Sequence, residues 1–250
     1  STIYNAACEP HVQDLCNFLN SIGAKIDGIG TNKLVITGVD SLKGGKWKII
    51  SDHIEVGSII GLAAITRSHI TIPDIQPEHY HIIKMYYNKL GVDFFFNGNE
   101  IVVPEKQELT ASADIGESIP IISDMIWPGF PSDLTSITVV MATQVKGTML
   151  IFEKMFDSRL FFTDKLVSLG ASLVLCDPHR VVVSGPTKMI PGKVTSPDIR
   201  AGMSLLIATL LADGESIIQN IKQIDRGYEK IDERLNKLGA KIFREEEICQ

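Results

Sequence analysis

The sequence predicts an α/β protein built from repeated units, with helices inside and sheets outside. Two alternating sequence patterns and a set of hairpin signals carry that prediction. The first pattern is "FLNSIGAKI", which returns as "YYNKLGVDF", "LVSLGASLV" and "RLNKLGAKI". Its glycines, Gly23, Gly91, Gly170 and Gly239, lie 68, 79 and 69 residues apart. Each follows an amphipathic run and precedes a short apolar segment, where Gly can take φ > 0 and end a helix. The second pattern runs through "SDHIEVGSIIGLAAITRSHITI", "PSDLTSITVVMATQVKGTMLI" and "SPDIRAGMSLLIATLLADGESII". Each copy sets an Asp (Asp52, Asp133, Asp198) before an apolar helix, a small polar turn and a strand.

Taken in order, residues 1–50 hold a helix ending near Gly23 and two strands joined at "GIGTN". They form the tail of a unit whose first helix is absent. From residue 51 the order is helix, strand, helix, strand, strand, with hairpins marked at "NGN" and "CDPHR". Three such units, each roughly 65–80 residues long, account for residues 51–250. The "LGA" helices are amphipathic, whereas the Asp-headed helices are apolar nearly all round, and such helices are buried on every side. Sheets with one wet face then lie outside them.

The chain of 250 residues, 44% hydrophobic and 22% charged, suits a globular protein of one large or two ordinary domains. A net charge of −6 and a pI near 5.5 argue against nucleic acid as a partner, although a local Arg cluster can still grip a small anion. No apolar run is long enough to span a bilayer, and "STIYNAACEPHVQDL" lacks a secretory signal, so no membrane role and a cytoplasmic location are expected. Cys8, Cys16, Cys176 and Cys249 have neither CxxC nor metal-ligand spacing and read as reduced thiols. His79 and His81, at i and i+2, diverge on a helix, and no nucleotide-binding glycine motif is present. Neither a metal nor a cofactor is expected.

The three matching Asp residues are first of all N-cap candidates, each worth about 1 kcal/mol. That is the expected role of Asp52. Asp133 follows "WPGFPS", a loop stiffened by two prolines, and is also a candidate functional carboxylate. Asp198 and Arg200 form either a cap with a solvated arginine or a carboxylate and guanidinium beside free N–H groups. Arg159 in "MFDSR" and Arg226 in "IDRGYE" occupy similar junctions. Several arginines so placed suggest a phosphate or carboxylate site.

Together "NAACEPHVQDLCNFLNSIGAKIDGIGTNKLVITGV", "SDHIEVGS", "GFPSD", "MFDSR", "SPDIRAG" and "IDRGYEKIDERLNKLGAKI" resemble the UDP-N-acetylglucosamine enolpyruvyl transferases, in order and over essentially the whole chain. The resemblance implies transfer of the enolpyruvyl group from phosphoenolpyruvate to the 3′-hydroxyl of UDP-N-acetylglucosamine, releasing phosphate, at the start of peptidoglycan synthesis. It implies an inside-out α/β barrel of βαβαββ-type units in each of two domains, with the active site between them. Residues 1–50 would be the tail of the first domain and 51–250 the second. The missing N-terminal half would be the partner, and the chain alone is expected to be inactive.

By position in these motifs, Asp133 is the expected general base at the sugar hydroxyl. The Met155 backbone and Arg159 line the sugar-nucleotide site, Asp198 and Arg200 lie near phosphoenolpyruvate, and Arg226 grips it on closure. The sequence departs from the family pattern at His53, usually Arg, at His11, usually acidic, and at Leu134–Ser136, usually containing Gln. A shikimate-type enolpyruvyl transferase and a non-catalytic regulatory paralogue are the alternative readings.

Overall fold

Residues 1–245 are described by the structure, a computed structural model, so Cys249 and the last five residues of the expected second domain lie outside it. The chain opens with β1 (Thr2–Tyr4), α1 (Pro10–Ser21), β2 (Lys25–Asp27) and β3 (Lys33–Thr37). The strands form an antiparallel sheet in the order β1-β3-β2. Next come α2 (His53–Ile65), β4 (Ile70–Ile72), α3 (His81–Asn88), β5 (Phe95–Asn97) and β6 (Glu100–Val103), whose strands pair in the order β4-β6-β5. A fuller unit follows: β7 (Ile121–Ser123), α4 (Thr135–Ala142), β8 (Gly147–Phe152), α5 (Thr163–Ser168), β9 (Leu173–Asp177) and β10 (Arg180–Gly185), in sheet order β7-β8-β10-β9. The last elements are β11 (Lys193–Thr195), α6 (Ile199–Leu210), β12 (Ile217–Gln219), α7 (Lys222–Asp225) and α8 (Ile231–Lys237).

Two strands beyond the predicted pattern, β7 and β11, precede α4 and α6. They pair in parallel with β8 and β12, so each buried helix is a crossover between parallel neighbours. Among the described residues no strand follows α8. Helix α8 begins at Ile231, directly after Lys230, which adopts φ 45°.

The four "LGA" glycines end their helices with one geometry. Gly23, Gly91, Gly170 and Gly239 have φ of 108°, 72°, 93° and 103°. The N–H of the following residue reaches back five positions, from Ala24 to Leu19 (3.0 Å), Val92 to Tyr87 (3.1 Å), Ala171 to Leu166 (2.9 Å) and Ala240 to Leu235 (3.1 Å). Each glycine N–H bonds the carbonyl three residues before it, completing the Schellman pattern. A side chain at these glycines would strain the left-handed backbone.

The Asp-headed helices are buried as their composition requires. All eight residues of α4 are buried, as are Ala201–Ala208 of α6 and most of α2. Helix α4 packs against both α2 and α6. Gly57 and Gly61 permit the α2–α4 approach, since a Cβ at either would lie 2.8 Å from Leu134 Cδ1 or Met141 Sδ. Outside them, β8 and β10 turn Met149, Ile151, Val181 and Val183 inward, with Val181 opposite Ile151 and Val183 opposite Met149. Two separate apolar clusters result. A small one is built on Cys16, Ile26 and Leu34, and a large one spans Ile54 to Leu235. No helix among the described residues is long and apolar enough to cross a membrane.

Candidate active site

The three matching Asp residues part company in the fold. Asp52 Oδ1 accepts from Ile54 N (2.8 Å) and Glu55 N (3.3 Å), and Asp198 Oδ1 accepts from Arg200 N and Ala201 N, both at 2.9 Å. Both are N-caps. Asp133 makes no cap bond. A 3-10 turn, Ser132–Leu134, precedes α4 and aims its carboxylate at two guanidiniums instead. Arg159 Nη1 donates to Oδ1 at 2.9 Å and Arg200 Nη2 to Oδ2 at 2.7 Å.

Aromatic rings back both arginines. The Arg159 guanidinium lies 4.6 Å from the centroid of the Phe156 ring, and that of Arg200 lies 5.9 Å from Tyr228. Tyr228, fully buried, extends the arrangement into α2. Its hydroxyl oxygen accepts from Arg200 Nη1 (3.5 Å) and lies 2.9 Å from Ser58 Oγ. The starts of α4 and α6 and the second turn of α2 thus meet at one place.

Burial pushes the Asp133 carboxyl up, but the charges of Arg200 and Arg159 and their hydrogen bonds outweigh it and hold the group below the usual carboxylate range. Desolvation acts to lower Arg200, yet Asp133 and Tyr228 bring it net upward. The result is an ionised carboxylate facing a half-open space, with two cations fixed beside it. Such a group can accept a hydrogen bond from a hydroxyl, and the cations suit an anionic co-substrate.

The loop before Asp133 is fixed by Phe130, fully buried with its ring 4.8 Å from that of Tyr86. Backbone bonds from Met125 N to Phe130 O (2.9 Å) and Gly129 N to Ile126 O (2.8 Å) close it.

Of the sequence-predicted residues, the structure brings Asp133, Arg159 and Arg200 together. Asp198 lies beside them, but its carboxylate is occupied as the cap of α6. Met155 exposes its side chain and turns its N–H inward, to Asp124 Oδ2 (3.1 Å) and Glu153 Oε1 (3.2 Å). Arg226 is exposed and donates to Gln223 Oε1 at 3.1 Å. The chain just after it does pass the site, since a Cβ on Gly227 would lie 3.9 Å from Arg200 Nη1. Sequence reasoning missed Tyr228, Ser132 and the buried carboxyls of Asp124 and Glu153. The alternation in "MLIFE" was the available signal for Glu153, because period two turns it inward after Met149 and Ile151.

Comparison with known proteins identifies the family of the chain. A family model described as EPSP synthase (3-phosphoshikimate 1-carboxyvinyltransferase) matches residues 1–235. The chain is 54% identical over 242 residues to a UDP-N-acetylglucosamine 1-carboxyvinyltransferase of Borrelia garinii subsp. bavariensis, covering 97% of this chain and 57% of that protein. A protein of the same name from Treponema denticola is 52% identical over 240 residues, covering 96% and 56%. The chain therefore spans a little over half the length of these relatives. Among solved structures, the enolpyruvyl transferase NikO from Streptomyces tendae matches with a TM-score of 0.80 at 25% identity, over 96% of this chain and 56% of that one. EPSP synthase from Acinetobacter baumannii shares the fold, with a TM-score of 0.69 at 17% identity over 91% and 54%.

Proposed function

The chain belongs to the EPSP synthase family, and on that premise we propose that it is part of an enolpyruvyl transferase acting on phosphoenolpyruvate and UDP-N-acetylglucosamine. The names of the relatives at 52–54% identity support this acceptor. The observation that carries the chemistry is the placement of Asp133, the one matching Asp freed from capping and held ionised between Arg159 and Arg200.

In this reading Asp133 accepts the proton of the sugar 3′-hydroxyl as its oxygen bonds to C2 of phosphoenolpyruvate, while C3 gains a proton. Loss of a proton from C3 then expels phosphate from C2 and restores the double bond. Arg200 and Arg159 neutralise developing negative charge nearby, and Asp198 fixes the helix turn that carries Arg200. Met155 presents backbone to the sugar nucleotide, and Arg226 reaches phosphoenolpyruvate when the cleft closes. Residues 1–50 are read as the tail of a first domain and 51–250 as a second, a division that the two separate apolar clusters support. Helices α2, α4 and α6 would form the centre of an inside-out barrel, and the enzyme would serve peptidoglycan synthesis in the cytoplasm.

The test is a chimera joining the part of the Treponema denticola relative not covered by this chain to these 250 residues. Phosphate release with UDP-N-acetylglucosamine, and none with shikimate 3-phosphate, is the expected result. Release with shikimate 3-phosphate alone would transfer the reading to the shikimate branch, and turnover undiminished in Asp133→Asn would remove the catalytic assignment.

A further inference from the structure

Two buried carboxyls stand behind Asp133 with no role yet assigned. In β8 the inward residues Met149 and Ile151 are each 1% exposed, and Glu153, the next on that face, is 0% exposed. In β7 Ile122 faces inward and is followed two residues later by Asp124, 1% exposed. The parallel register sets Ile122 beside Ile151 and Ser123 beside Phe152, and its continuation sets Asp124 beside Glu153. Both converge on the Met155 N–H, at 3.1 and 3.2 Å. Its own burial and the Asp124 side chain beside it together make Glu153 costly to ionise.

We propose that Glu153 is a positioning residue for Asp133 that acts through Arg159. Protonated, Glu153 leaves Arg159 to Asp133; on losing its proton, Glu153 draws Arg159 away. The proposal rests on the reading of Asp133 as the catalytic carboxylate.

Two contacts of the Glu153 carboxyl lead to the site. Ser132 Oγ donates to both its oxygens, at 2.8 and 2.9 Å, tying the turn that carries Asp133 to the end of β8. Arg159 bridges the two carboxyl groups, with Nη1 2.9 Å from Asp133 Oδ1 and Nε 3.8 Å from Glu153 Oε2. From β7 comes Asp124, which also accepts from Lys154 N, whose side chain lies in solvent. From the β9–β10 turn, His179 Nδ1 donates to the Glu153 carbonyl at 2.8 Å while its Nε2 lies 3.1 Å from Asp157.

Burial first, and the Asp124 carboxylate next, push Glu153 up to about 7, so its proton leaves within the physiological range. The ionised group then competes with Asp133 for one guanidinium. Asp133, relieved of one cation, becomes the stronger base that proton transfer from a hydroxyl requires.

The experiment is carboxyl 13C and guanidinium 15N NMR of the labelled 250-residue chain from pH 5 to 9, without substrate. Glu153 should titrate near neutrality, and the Arg159 Nε resonance should shift with the same midpoint while Arg200 stays still. In Asp124→Asn both midpoints should fall by about one pH unit or more. In Glu153→Gln the Arg159 resonance should no longer respond to pH. Titration of wild-type Glu153 in the ordinary carboxylate range would overturn the proposal, as would neutral titration with Arg159 unmoved. The wild-type titration decides the matter even if a variant misfolds. Failure of the substrate reading would show separately, as absent phosphate release with these titrations intact.

Discussion

Arg200 Nη2 lies 2.7 Å from Asp133 Oδ2, joining the first turn of α6 to the turn that opens α4 across 67 residues of sequence. This pair explains why Asp133 is not a cap. Its carboxylate gains more from a charged donor than from the weaker pull of its own helix end. Removing the donor has a definite consequence. Arg200→Ala should raise the Asp133 pKa and cost about 1 kcal/mol, a modest figure because Asp133 is partly solvated. A group with a depressed folded pKa stabilises the fold above its unfolded value of 3.8 and loses that contribution as pH falls through the folded one. Urea denaturation at pH 7 and pH 3 should therefore show a larger wild-type advantage at the higher pH. Arg200→Lys should recover part of it, since the charge remains but the planar fork is lost.

The capping aspartates should behave differently from Asp133. Asp52→Ala and Asp198→Ala should each cost about 1 kcal/mol in denaturant melts, as lost caps do. Asp133→Asn should cost about 1 kcal/mol through its lost arginine pairs and also reduce phosphate release in the chimera by about 100-fold or more. A stability loss at Asp133 as large as at Asp52, with turnover unchanged, would show that the three residues have one structural role.

His53 makes stability depend on acid. Its ring stacks on His11 at 6.1 Å and meets Trp127 edge-on at 5.4 Å, with the side chain buried. Burial first lowers it, Asp52 and Asp133 act to raise it, and His11 and His79 lower it further, leaving the pKa at about 4 against 6.5 when unfolded. Between those values the unfolded chain binds the proton and the folded one does not, so stability falls as pH drops from 6.5 towards 4. The loss should be about 3 kcal/mol at most. Thermal melts across that window should flatten in His53→Gln, and an unchanged slope would show that His53 is not the group responsible.

Gly61 sets the spacing of two buried helices. A Cβ there would meet Met141 Sδ at 2.8 Å and Ile137 Cγ2 at 3.1 Å. Gly61→Val should lower stability by about 1–3 kcal/mol through overpacking, read as a drop in the urea midpoint. Substitution without loss would mean that α2 and α4 separate more readily than their contact suggests.

What the sequence determined by itself was local. The Gly after each amphipathic run, the Asp before Ile54 and Ile199, and the all-apolar composition of α2, α4 and α6 act within a few residues, so helix ends and burial were legible without coordinates. The likeness of the motifs pointed to the enolpyruvyl transferases, and the arginines at element junctions pointed to an anion site. Which carboxylate those arginines serve was not legible, because Asp133, Arg159 and Arg200 come from three separated segments. The inward direction of Glu153 was encoded in the alternation of its strand, but its neighbour Asp124 was not. One residue of slip between β7 and β8 would have put Asp124 on the opposite face. Register and long-range pairing are choices among distant partners, and only the packed tertiary structure decides among them.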